Sequence, residues 1–160
     1  MNLEKINERV KEEDEKLKDT KKNHYKVENL DGLDNGELER EMVNLPNKEF
    51  LAKVRYVGLE VELNLIQKQI RQILDSTTLK IADDFKKEYT TVRQREAKAN
   101  QLLADSNKYF ALQALESTLK EHIFYLKNQC DYYANMCMSL KKIYSIRNDL
   151  LLADKKVRSE

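Results

Sequence analysis

An all-α fold is what this sequence predicts, and three observations carry that expectation. Only three glycines and one proline punctuate 160 residues, too few turn-formers for the tight reversals of a sheet protein. Charged residues make up 36% of the chain, a composition that suits long solvated helices. From Leu112 to Leu150 an unbroken stagger of threes and fours runs through Leu112, Leu115, Leu119, His122, Leu126, Gln129, Tyr133, Met136, Leu140, Ile143, Arg147 and Leu150. That is the spacing of a helix laying one seam against a partner.

The elements follow in order. Residues 2–29 carry a sparse heptad, Leu3, Ile6, Val10 and Leu17, with Glu13 and His24 where apolar side chains are needed; the stretch reads as a helix of marginal independence. Residues 28–44 hold Asp31-Gly32 and Asn35-Gly36, followed by Glu37, Glu39 and Glu41. They read as a flexible linker, since an Asn-Gly pair flanked by polar residues argues against a hairpin. Pro46 suits a first helical turn with Asn44 as its cap, so the second helix is expected to begin there. It carries Phe50, Val54, Val57 and Val61 and then, after a phase slip, Leu63, Ile66, Ile70 and Ile73. The slip widens the apolar face, which places this helix between two neighbours. Gly58 in its middle costs about 1 kcal/mol relative to alanine; a close helix crossing and an open surface both accommodate it. Asp75-Ser76-Thr77-Thr78 reads as a break and a cap for a thinly apolar third helix over 78–104, and Asp105-Ser106 as the cap of the last.

Over residues 112–150 the last helix runs roughly 60 Å at about 1.5 Å per residue, longer than a compact chain of this length is wide. A second series, Leu119, Ile123, Leu126, Cys130, Tyr133, Cys137, Leu140, Tyr144, Arg147 and Leu151, makes its apolar face broad. One flank is therefore expected to cover the chain's own helices. The other meets copies of itself, with Leu112, Leu115, Leu119, Leu126, Tyr133, Leu140 and Ile143 as oligomerisation contacts in a coiled-coil-like assembly. The polar intruders His122, Gln129 and Arg147 either set register and copy number or snorkel at the seam's edge.

The net charge of +1 hides an asymmetry. Residues 1–46 hold 9 Lys and Arg against 13 Asp and Glu, a net of −4, leaving +5 for residues 47–160. The chain thus divides into an acidic helical arm with its linker, 1–45, and a helical oligomerisation and nucleic-acid-binding unit, 46–160. In the latter, Lys68, Arg71 and Lys80 lead into Lys86, Lys87, Tyr89, Arg93, Arg95 and Lys98, with Phe85 among them. Cations interleaved with rings suit single-stranded nucleic acid, whose phosphates need neutralising and whose bases need a π surface. The same pattern also describes an ordinary solvated helix face, with Phe85 and Tyr89 as core. Copies arranged in a ring turn a modest patch into a continuous track.

Several chemistries are excluded. Glycines at 32, 36 and 58 alone cannot build a phosphate loop. The two histidines lie in different segments, and the adjacent carboxylates Asp83 and Asp84 splay about 100° apart on a helix. Cys130 and Cys137, seven residues apart on one helix, are about 10 Å apart, beyond disulfide reach, and with His122 they lack the C-x-x-C spacing of a zinc site. No enzyme, cofactor or metal is expected. No run of about 18 apolar residues occurs and the start is charged, so a soluble, cytoplasmic protein without a membrane partner is expected.

Asn47 to Leu150 resembles the UvsY-type recombination mediators of tailed phages. The resemblance rests on an order of features. A helix bears Leu65-Ile66-Gln67-Lys68-Gln69-Ile70-Arg71. Tyr89 follows, with a basic helix ending Leu102-Leu103-Ala104-Asp105. Last come Tyr109 and the long amphipathic helix through Tyr125-Leu126 to Ile143 and Arg147. It implies a non-enzymatic oligomer, a ring in that family, that binds single-stranded DNA without sequence preference. Such a protein helps load a RecA-like recombinase onto DNA coated with single-strand-binding protein, in the cytoplasm of an infected bacterial host. Lys68 and Arg71 match the family's DNA contacts best, then Lys80; the acidic arm is extra to the pattern. Two other readings compete: a structural helical adaptor or inhibitor that binds another protein through its apolar face without nucleic acid, and an acidic arm that itself occupies the basic track.

Overall fold

The chain is all-α. The structure, a computed structural model, describes residues 2–85 and 88–159, and the side chains of all of these but Asp31 and residues 156–159. Among the described residues there are four α-helices and one 3-10 turn: α1 (Leu3–Lys22), the turn Leu30–Gly32, α2 (Asn35–Asp84), α3 (Val92–Leu103) and α4 (Asn107–Ser159).

Local hydrogen bonds explain where the helices start. Asn2 caps α1, its side-chain oxygen accepting from the Lys5 amide at 3.0 Å. At α2 the Asp34 amide donates to Glu37 at 2.8 Å while the Glu37 amide donates to Asp34 at 2.7 Å. This reciprocal capping box satisfies two orphan donors and starts the helix well before Pro46. Pro46 therefore sits inside α2, beside the fully buried Leu45. The expected break at residues 75–78 is also absent. The hydroxyls of Ser76 and Thr77 donate to the Ile73 carbonyl at 2.9 and 2.8 Å, and that of Thr78 to Leu74 at 2.9 Å, so these side chains bond back along the helix rather than capping a new one. α2 instead runs on to Asp84, and α3 starts at Val92, where Thr91 forms a capping box with Gln94.

Two compact units divide the chain: Met1–Lys22 with Val57–Ile123, and Asn23–Tyr56 with Phe124–Glu160. The division differs from the one expected at residues 45 and 46, which falls inside α2. In the first unit Ile6, Ile66, Ala111, Leu112, Leu115 and Leu119 form the core, with Leu3, Val10, Leu63 and Ile70 packed against it. The acidic arm is thus a core helix. In the second, Leu38, Leu45, Tyr133, Cys137 and Leu140 form the core; Tyr25 and Val27, which lie past the end of α1 in the stretch expected to be helical, pack against it, as do Leu30 and Leu33 of the expected flexible linker. Its turn is tight: a Cβ at Gly32 would lie 2.3 Å from the Asn29 side chain.

The seam of α4 is accordingly an intrachain core. Leu112, Leu115, Leu119 and Leu140 are fully buried, Leu126 and Tyr133 nearly so, and Ile143 is half-buried. Their own chain covers the positions assigned to copy-to-copy contacts, and any contact between copies must use another face. The three polar intruders also meet their own chain. His122 Nδ1 lies 3.0 Å from Glu13, the Gln129 amide donates to His24 Nδ1 at 3.0 Å, and Arg147 donates to the Leu33 carbonyl. Glu13, 1% exposed, also binds Arg9 at 2.5 Å and Lys16 at 3.0 Å. Burial pushes its carboxyl up, but hydrogen bonds from His122 and Lys16 and the charges of Arg9 and Lys16 outweigh that and hold it at about 2. Arg9 reaches on to Glu62 of α2 at 2.6 Å, tying α1 to two helices.

Candidate nucleic-acid interface

The phase slip in α2 decides which side chains reach water. Ile66 is buried, with Leu63, Ile70 and Ile73 packed against the first unit's core, so positions 68, 71 and 72 of the same helix point outward. Lys68 and Arg71 are exposed neighbours three residues apart, and Gln72, Ser76 and the exposed Lys80 continue from Lys68 at four-residue intervals. Beside them Gln69, Gln72, Ile73 and Ser76 line a groove of about 270 Å³ with Lys108 of α4. Amide and hydroxyl groups with an ammonium in one groove can serve phosphate oxygens and base edges alike. The sequence reading did not single out Gln69, Gln72, Ser76 or Lys108; for Gln72 and Ser76 the signal was a four-residue polar ladder running on from Lys68, while Gln69 and Lys108 of α4 lie off that ladder.

The residues expected beyond α2 are not brought onto one face. Lys86 and Lys87 lie outside the described residues. Phe85 is 40% exposed and Tyr89 is half-buried. Their rings pack edge-on at 6.1 Å and 76°, spending part of each surface on the other. Arg95 turns back to brace the loop before α3, donating to the Tyr89 carbonyl at 2.8 Å and the Thr90 carbonyl at 3.5 Å; it positions this loop and is not an open cation. Arg93 is exposed, whereas Lys98 is half-buried and bonds Gln101 at 3.2 Å. At about 100° per residue Arg93 and Lys98 stand about 140° apart around α3.

The slip also leaves Phe50, Val54, Val57 and Val61 in water, 46 to 64% exposed, where the sequence suggested a second buried flank. Among the described residues no three His, Cys, Asp or Glu side chains group as metal ligands, and no helix is long and apolar enough to cross a membrane. The Cys130 thiol, pushed up by burial, points at the Glu49 carbonyl, 3.6 Å away. Compared with protein families, curated proteins and solved structures, the chain matches no family model, no curated protein and no solved structure.

Proposed function

We propose that this protein is a non-enzymatic, oligomeric single-stranded-DNA-binding protein that acts as a recombination mediator, helping to load a RecA-like recombinase. The observation that carries the reading is the exposed pair Lys68 and Arg71 beside the polar groove closed by Lys108. Phosphates are captured there without sequence readout, and the part-exposed Phe85 supplies an apolar edge for an unstacked base. The recombinase and the single-strand-binding protein follow from the resemblance of residues 47–150 to UvsY-type mediators. Arg95 acts by holding the loop. Ile6 and Glu13 of the acidic arm are in the core.

The test is fluorescence anisotropy with a poly-dT oligonucleotide across a salt series. Binding at micromolar protein should weaken with salt, and K68A/R71A should flatten the slope by about 1.4, from about 0.7 per phosphate contact on a single strand, with helicity unchanged. Salt-independent or absent binding ends the reading. It would favour the protein adaptor, for which the exposed apolar face of α2 speaks.

A further inference from the structure

Two side chains of α1 bracket one buried imidazole. His122 of α4, 5% exposed, has an α1 side chain at each ring nitrogen: Nδ1 lies 3.0 Å from Glu13 Oε2, and Nε2 lies 3.4 Å from Thr20 Oγ1. All three residues belong to the first unit. The Thr20 hydroxyl has one proton and donates it to the Lys16 carbonyl at 2.7 Å, the back-bond a threonine makes one helical turn earlier. Toward the ring Thr20 therefore offers only lone pairs. Glu13 offers only lone pairs too, because Arg9 and Lys16 at its other oxygen keep the carboxyl ionised. A neutral imidazole donates from one nitrogen and accepts at the other, so between two acceptors it leaves one contact without a proton.

We infer that His122 is an imidazolium in the folded chain at neutral pH and acts as a proton-operated latch of α1 on α4. With both nitrogens protonated, Nδ1–H donates to Glu13 and Nε2–H to Thr20, whose own proton stays on the Lys16 carbonyl, and every contact of the ring has its proton. The surrounding charges call for the same state. α1 supplies Arg9, Glu12, Glu13 and Lys16, and α2 supplies Glu62, which Arg9 binds at 2.6 Å. On α4 the neighbouring Glu116 and Glu121 are matched by Lys120 and Lys21. Glu12, Glu13 and Glu62 thus face two cations, Arg9 and Lys16, until the ring supplies a third. The latch responds to alkali: when the ring gives up one proton, Glu13 or Thr20 meets a bare lone pair in a buried site with no solvent to relieve it. Folding favours the proton-bound ring, so the hold on α1 is present below the point where the folded ring titrates and is lost as pH rises through it. That is the opposite sense to Glu13 itself, whose depressed carboxyl fails on acidification. None of these residues lines the polar groove beside Lys68, so the latch and the DNA reading stand or fall separately.

NMR of the imidazole nitrogens in the full chain reads the state directly. The chain has two histidines, so H24F/Q129L leaves His122 as the one imidazole and assigns its signals. Both of its ring nitrogens should carry a proton at neutral pH. T20V removes the acceptor at Nε2 and should weaken proton binding by the ring about tenfold, the loss of one hydrogen bond to a charged group. T20S keeps the hydroxyl and should titrate as the parent does. Urea midpoints of the parent should fall as pH is raised above neutral, more steeply than those of E13L/H122L, which keeps the same lysines, tyrosines and cysteines. A ring with one bare nitrogen at neutral pH, a T20V ring that titrates with the parent, or equal alkaline slopes for the parent and E13L/H122L overturns the inference. The spectrum of the unsubstituted chain gives the protonation state even where a variant fails to fold.

Discussion

Each compact unit buries a polar misfit of α4 against a partner from its own helices, His122 in the first and Gln129 in the second, and the two do so with opposite chemistry. In the first, His122 meets Glu13 inside a net of charges drawn from Arg9, Lys16 and Glu62. In the second, Gln129 meets His24 among the rings of Tyr125, Tyr132 and Tyr133, whose centroids lie 5.1 to 6.3 Å from the imidazole. Burial and the charge of Lys26 lower His24 from its ordinary value, consistent with an amide donor aimed at Nδ1. A buried carboxylate depends on all of its partners at once. A neutral imidazole wrapped in aromatic rings depends mainly on packing, with a single amide to satisfy it. The comparison teaches that a polar residue in a helical seam is read correctly only with its partner in view.

The sharpest way to break the comparison is to remove the buried carboxylate. Glu13→Ala removes the shared acceptor of His122, Arg9 and Lys16 and should destabilise the fold by about 3 to 5 kcal/mol, as loss of one partner from a buried ion pair does; urea unfolding monitored by circular dichroism measures it. Glu13→Leu with His122→Leu should recover most of that loss, because apolar replacement of both partners removes the desolvation cost together with the attraction. A single-variant loss under about 1 kcal/mol would reduce the net to the strength of a surface pair.

Acid should separate the two units next. Glu13 is held at about 2 against an ordinary 4.5. Its folded pKa is depressed, so its contribution, on the order of 3 kcal/mol, is fully present above pH 4.5 and is lost as pH falls from there towards 2. His24 is also depressed, but as a base: its unfolded form binds a proton first, so the second unit weakens as pH falls through 6.5. Amide exchange, corrected for its intrinsic pH dependence, should lose protection at residues 24–33 before it does so in α1. The reverse order would mean that the aromatic cluster tolerates the imidazolium.

How much of this was legible in the sequence depended on whether the signal was local. The stagger of α4 and its cap at Ser106, which accepts from the Tyr109 amide at 3.4 Å, were both readable. The start of α2 was not, because Asn44-Pro46 and Asp34-Glu37 are rival start signals and only the second is a reciprocal pair. The segment before α2 carries Tyr25, Val27, Leu30 and Leu33 at twos and threes, a strap pattern that the Asp31-Gly32 pair masked. Glu13 and His24 looked like weaknesses because their partners lie about a hundred residues away. In the candidate site the exposure of Lys68, Arg71, Lys80 and Arg93 followed from periodicity. The turning back of Arg95 did not, because it depends on where α3 begins, and that in turn depends on hydroxyls bonding backwards at residues 76–78.

The smallest expected effect tests the neutral pair directly. Gln129→Leu removes the amide donating to His24 and should cost about 1 to 2 kcal/mol, the loss of one buried hydrogen bond. His24→Phe with Gln129→Leu should return close to the starting stability, because a third kind of ring packs against Tyr132 and Tyr133 as the imidazole does. A double-mutant cycle on this pair should therefore give a coupling of about 0.5 to 1.5 kcal/mol, smaller than the cycle on Glu13 and His122. If the two couplings came out equal, packing and charge would be doing the same job in both units, and the acid order expected above would lose its physical basis.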